Sequence, residues 1–161
     1  MAVLNRITPC LWFDDQAEAA ARFYVSVFPD SELLQISRCG EGMPKPAGSV
    51  LTVHFKLRGQ TFMGLNGGPE HPHTPAVSFM IDCATQAEVD RYWDRLVEGG
   101  EPMACCWLKD RFGLCWQVVP TAFMERMASS DRAAVDRMFG ALMTMTKPDV
   151  AALVAAFEGR S

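Results

Sequence analysis

A shift of 70 residues lays one half of this chain over the other. Gln16-Ala17-Glu18 falls on Gln86-Ala87-Glu88, Ile7 on Val77, Leu11 on Ile81, Phe23 on Trp93 and Val27 on Val97. The identity is weak but the order of patterns repeats, and a unit used twice constrains a fold more than any single motif does. In the first copy, residues 7–13 (ITPCLWF) read as a strand. Residues 16–28 read as a helix with Ala17, Ala20, Phe23/Tyr24 and Val27 on one side, closed by Pro29-Asp30. Residues 32–38, 48–57 and 60–65 follow as strands, the last two joined through the tight Arg58-Gly59 turn. After a Gly/Pro-rich linker the order restarts: a strand at 76–82, a helix at 85–97 packing through Val89, Tyr92/Trp93 and Leu96, a strand at 102–107, a turn at 109–113 and a last strand at 114–119. Two βαβββ modules and an α+β class follow.

The modules span about 5–68 and 75–120, and together they form one domain over 1–120. Residues 121–161 read as a helical extension in three segments, 121–128, 131–146 and 148–157, with Ser130 or Asp131 as a cap and Pro148-Asp149 as a start. At about 40 residues the extension is too short to fold alone, so it is expected on the same domain or on a partner subunit. Fifteen Lys and Arg against 19 Asp and Glu give a net charge of −4, which offers no attraction for nucleic acid or an anionic membrane. No apolar run approaches the roughly 20 residues needed to cross a bilayer. The first residues lack the apolar core of a secretory leader, and the six cysteines contain no CxxC pair, so reduced thiols in the cytoplasm are expected.

Alternation along the strands separates a uniformly apolar face from a mixed one. Ile7, Leu11 and Phe13, like Val77, Phe79 and Ile81, mark the helix-covered side. Thr8, Cys10 and Trp12, with Ser78, Asn66, Cys115 and Gln117, mark a mixed face able to line a small-molecule cavity. Asn66 and Gln117 are neutral, so they would orient a ligand by hydrogen bonds without acting as acid or base. Cys10 is either a nucleophile or a small lining hydrophobe; the former needs a base, and His54 on the 48–57 strand is a candidate. His54 is itself either an acid/base facing the ligand or a structural histidine. Trp12 is either a stacking platform or core. His71 and His73 cannot close a metal site alone, and their linker is expected to face water.

The runs ITPCLWFDDQAEAAARFYVSVFPDS, GSVLTVHFKLRGQTFMGLNGGP, VDRYWDRLVEGG and CCWLKDRFGLCWQVVP resemble the vicinal oxygen chelate superfamily, the glyoxalase/bleomycin-resistance fold. Within it the chain is similar to the PhnB-like branch named for 3-demethylubiquinone-9 3-methyltransferase, over essentially its whole length. In metal-using members the resemblance implies ligands at about Thr8, Leu65 or Asn66, Val77 or Ser78, and Gln117. Only Gln117 resembles such a ligand, so no metal and no cofactor are expected. An S-adenosylmethionine enzyme of the common kind needs a glycine-rich loop between a parallel strand and a helix, and neither Asn66-Gly67-Gly68-Pro69 nor Gly99-Gly100 stands there. The expectation is a homodimer binding a small, partly apolar molecule. A glyoxalase- or dioxygenase-type enzyme, or the methyltransferase activity, is the alternative.

Overall fold

The computed structural model describes residues 7–160. The start of the first module at about residue 5 lies outside them. The chain divides into two compact units, Met1–His73 and Thr74–Ser161.

The first unit runs β1 (Cys10–Phe13), α1 (Ala17–Val27), β2 (Glu32–Arg38), β3 (Val50–Leu57) and β4 (Gln60–Asn66). Its sheet has the order β1-β4-β3-β2, with β1 parallel to β4 and the other pairs antiparallel. Arg58 and Gly59 both take positive φ, 45° and 88°, as a two-residue turn matched to strand twist requires. α1 buries Ala17, Ala20, Ala21, Tyr24 and Val27 on the sheet. Its small residues let the helix sit close: a side chain added at Gly64 of β4 would put its Cβ 3.1 Å from that of Ala17.

The second unit runs β5 (Ser78–Cys83), α2 (Gln86–Val97), β6 (Glu101–Pro102), β7 (Trp107–Lys109), β8 (Cys115–Pro120), α3 (Thr121–Met127), α4 (Arg132–Met143) and α5 (Val150–Phe157). The order β5-β8-β7-β6 repeats that of the first sheet, again with one parallel pair, β5 with β8. α2 covers one face with Val89, Tyr92, Trp93 and Leu96. The expected single strand over 102–107 is corrected to β6 and β7, because Cys105 and Cys106 both adopt positive φ, 60° and 68°, and turn the chain.

The helical extension packs within the second unit. Phe123, Met138, Leu142 and Leu153 form one buried cluster with Val119 and Cys106. Each such side chain contributes about 1.5–3 kcal/mol on leaving water. Polar ties close the arrangement: the Gln86 side chain donates to Pro148 C=O (3.1 Å) and accepts from Val150 N–H (2.9 Å). Asp131 and Asp149 cap α4 and α5, accepting from Ala134 and Ala152 N–H. Among the described residues no helix is long and apolar enough to cross a membrane.

Candidate functional site

Strand register identifies the side of each sheet that its helix leaves open. In the first unit Cys10, Met63, His54 and Gln35 form one row across four strands, and Trp12, Leu65, Thr52 and Ser37 the next. Leu11–Gly64–Val53 and Phe13–Asn66 belong to the opposite, helix-covered face. This corrects the expectation for Asn66. It does not share a face with Cys10 and Trp12; it is buried, 4% exposed, under α1. Its Oδ1 accepts the Ala17 N–H (2.8 Å) and its Nδ2 donates to Val50 C=O (3.0 Å). Gln16 gives the start of α1 no side-chain cap, so a residue 49 positions downstream supplies it from β4.

Trp12 lies on the open face, yet its indole is engaged locally. Nε1 donates to Gly68 C=O at 2.8 Å, and the ring meets His71 edge-on at 4.8 Å. A Cβ at Gly67 would fall 2.1 Å from the Trp12 ring, so glycine at 67 is what leaves room for that ring. His73 likewise meets Phe13 edge-on at 5.1 Å, so the two linker histidines pack on β1 residues. Cys10 and His54 share a row but not a contact: β4 runs between their strands, placing them roughly 10 Å apart, two strand spacings. Cys10 is exposed, and partial burial of its thiol raises its pKa, the wrong direction for a nucleophile. The His54 Nδ1 is buried with no hydrogen-bond partner among the described residues. Thr8 precedes β1 and is partly buried.

In the second unit the open face carries Ser78, Cys115 and Lys109 in one row, Met80, Gln117 and Trp107 in the next, then Asp82 and Val119. Two of the sequence-predicted residues meet here: Gln117 Nε2 donates to Ser78 Oγ at 2.8 Å. The Gln117 Oε1 keeps no partner among the described residues.

The repeat shift puts Cys10 on Met80. The pairs Cys10–Met63 and Met80–Gln117 then make Met63 the counterpart of Gln117, and His54 that of Trp107. The position expected at Leu65 or Asn66 is thereby corrected to Met63. Thr8 and Met63 in one unit, Ser78 and Gln117 in the other, supply two hydroxyls, a thioether and an amide already hydrogen-bonded. Neither unit's pair by itself offers the several N or O ligands that a divalent ion needs. Among the described residues no three His, Cys, Asp or Glu side chains gather either.

Between the open face of the second sheet and the helical extension lies a cavity of about 300 Å³. Trp107, Gln117 and Val119 form its sheet side, and Phe123, Phe139 and Leu142 its helical side. Apart from thiols and thioethers, the polar groups on these walls are the Gln117 carboxamide and the Trp107 indole N–H. The Cys106 thiol, also on the wall, is pushed up to about 12 by burial and then by the neighbouring Cys105, so it stays protonated. Neither the carboxamide nor the indole acts as acid or base.

The helical wall of this hollow is made by the extension's Met and Phe residues, whose spacing along a helix does not distinguish a cavity wall from a core. A second residue that sequence reasoning left in a turn is Asp110, 2% exposed. It accepts from Phe112 N–H, Leu114 N–H and the Trp116 indole at 2.8, 3.0 and 2.8 Å, and so anchors the turn that delivers Gln117.

The model of the family described as 3-demethylubiquinone-9 3-methyltransferase matches residues 5–119. The match ends before the helical extension, which corrects the expectation of a likeness over the whole length. A solved PhnB protein of Bacillus cereus, named for the same methyltransferase, is 33% identical, with 73% of this chain and all of that one covered and a TM-score of 0.67. A Pseudomonas aeruginosa protein is 20% identical over 73% of this chain and 98% of its own, TM-score 0.60. The fosfomycin resistance protein FosX of Listeria monocytogenes is 16% identical over 80% of this chain and 100% of its own, TM-score 0.56. The last two show the fold alone. No curated protein matches the chain.

Proposed function

The chain belongs to the 3-demethylubiquinone-9 3-methyltransferase family, the PhnB-like branch of the vicinal oxygen chelate superfamily, and from that premise we propose that it binds a small, partly apolar molecule without a divalent metal or an organic cofactor. One observation carries this reading: the cavity of about 300 Å³ in the second unit, apolar except for Gln117, the Trp107 indole N–H and sulfur groups. That volume stands at the small end of ligand pockets, which limits the occupant to a compact molecule. Ser78 fixes the Gln117 amide so that its Oε1 accepts from a ligand N–H or O–H. The family's methyltransferase name is not part of this reading, since the Trp12 ring covers the glycine stretch after β4. A Cys10–His54 chemistry finds no support in residues separated by a strand.

The protein acts as a cytoplasmic homodimer in this proposal. Met80, Met124, Phe139 and Met143 are each 45–56% exposed around the cavity and favour cover by a second copy. Sedimentation at micromolar concentration is expected to give twice 17.8 kDa, and a monomer mass refutes the assembly. For the site, native mass spectrometry of the purified protein is expected to find a retained small molecule. Gln117→Leu keeps the fold and weakens rebinding of that molecule by about 1–3 kcal/mol. Val119→Phe, which fills the cavity, abolishes it. Binding unchanged in both variants removes the site from this cavity.

A further inference from the structure

The walls of the same cavity hold a set of groups that a carboxamide site does not use. Six of its thirteen lining residues carry sulfur: Met80, Cys105, Cys106, Met124, Met127 and Met143. The whole chain has ten Met and six Cys in 161 residues, so sulfur is concentrated here several-fold. Two of these atoms already touch, with Cys105 Sγ 3.3 Å from Met143 Sδ.

The backbone around them takes a conformation uncommon for non-glycine residues. Cys105 and Cys106 are consecutive non-glycine residues at positive φ, a conformation costing each roughly 1–2 kcal/mol. It is held from outside. Cys105 N–H donates to Met145 C=O (3.0 Å), Cys106 N–H donates to Thr146 C=O (3.2 Å), and Val118 N–H donates to Cys106 C=O (3.0 Å). The segment after α4 that clamps the cysteine turn is therefore continuous with the residue that brings the thioether. The thiol and thioether are presented to each other by two elements locked together, which is how a ligand set is preorganised.

We propose that Cys105 Sγ and Met143 Sδ form a two-sulfur binding site for a soft monovalent cation of the copper(I) class. The donor chemistry selects the ion. Thiolate and thioether are soft ligands that favour Cu(I). The absence of a gathered set of His, Asp or Glu among the described residues leaves nothing that would favour a hard or borderline ion there. Binding displaces the Cys105 thiol proton to solvent and leaves the ion's oxidation state unchanged, so no electron donor or acceptor is required. Cys106 is the neighbour and not the ligand: it is 3% exposed, within the apolar cluster of the extension. The inference is independent of the apolar-ligand reading, because it uses sulfur atoms and not the Gln117 amide.

The test uses the full-length protein, anaerobic, titrated with Cu(I) against a chromophoric Cu(I) chelator. One equivalent is expected to transfer to the protein, with affinity rising with pH because a thiolate must form. Cys105→Ser is expected to weaken binding at least 100-fold and Met143→Leu at least 10-fold. Cys10→Ser, which removes an exposed thiol in the other unit, leaves it unchanged. X-ray absorption of the loaded protein is expected to show sulfur neighbours. Met143 is 55% exposed, so its substitution leaves folding intact, and a far-ultraviolet and thermal check on each variant separates unfolding from lost ligation. Failure of the wild-type protein to take copper from the chelator overturns the proposal. So does retained affinity in a folded Cys105→Ser or Met143→Leu variant, or a nitrogen and oxygen shell.

Discussion

The two modules share a topology and differ at almost every point where a side chain does more than pack. The first closes its β3–β4 hairpin with Arg58-Gly59 and leaves the work to backbone conformation. The second uses a longer turn, 110–114, organised by a buried carboxylate that takes three donors. The start of α1 is capped from β4 by Asn66, whereas α2 caps itself: Thr85 Oγ1 accepts from Glu88 N–H and the Glu88 carboxylate accepts from Ala84 N–H. On the open faces, Cys10–Met63–His54 in one unit answers Met80–Gln117–Trp107 in the other. The second face has a helical extension over it. One fold thus carries two surfaces, and the hollow belongs to what is added to the scaffold.

The turn comparison is the most severe to break. Asp110→Ala strands two buried donors and one partly buried donor, each worth about 1–3 kcal/mol when left unpaired. A loss of about 3–5 kcal/mol is expected in denaturant unfolding, together with disordering of β8. Gly59→Ala, at φ 88° with open space around it, is expected to cost only about 1–2 kcal/mol, the strain of a left-handed alanine. Comparable losses from the two substitutions would remove the distinction between a backbone-built and a carboxylate-built turn.

The helix caps come next. Asn66→Ala leaves the Ala17 N–H and the Val50 C=O without their side-chain partner inside the first unit, and an expected loss of about 2–3 kcal/mol follows. Thr85→Ala removes an exposed local cap and is expected to cost about 1 kcal/mol. Chemical denaturation of the two variants side by side gives the ratio. Equal losses would mean that the long-range cap adds nothing beyond the local one.

These pairs also mark how far the sequence could be read. The repeat, the helices and the division of apolar faces were legible because periodicity is a local property, and Val89, Tyr92, Trp93 and Leu96 are buried as their spacing requires. Asn66 was misplaced because the face of β4 depends on its parallel register with β1, and alternation within each strand does not set one strand's phase against the other. Gln117 was placed on the open side with Ser78, as β5–β8 pairing has it, but the partner of each was not readable. Asp110 looked like an ordinary turn residue, since nothing in the order Asp-Arg-Phe-Gly announces a buried indole six residues on. The cavity escaped for a related reason. Its far wall is helical, and a Met on a helix reads the same whether it faces a core or a hollow.

The smallest effect concerns how the extension is held, a question that has no counterpart in the first unit. Lys147 lies between α4 and α5, and its ammonium reaches Asp90 (2.8 Å) and Asp94 (3.1 Å) on α2. Burial opposes the Lys147 charge, but the hydrogen bonds to Asp90 and Asp94 outweigh it and raise its pKa. Asp90 is held below the ordinary carboxylate value of 3.8 by its bond to Lys147, then by that to Gln86. A carboxyl whose folded value is depressed contributes stability above its unfolded value and loses it as pH falls through the folded one. The Asp90–Lys147 pair therefore holds at neutral pH and is lost as pH falls below 3.8 through the lower folded value of Asp90. The carboxylates are exposed and screened, so the contribution is modest and greatest at low ionic strength. Hydrogen exchange is the sensitive measure: Lys147→Met is expected to speed exchange in α5 at pH 7 and low salt, with little change in α1. The wild-type and variant rates are expected to converge in 1 M salt, and to approach each other as pH falls through the lowered Asp90 value. If the difference persists in 1 M salt, the Lys147 stem packs the extension in place and its charge does not.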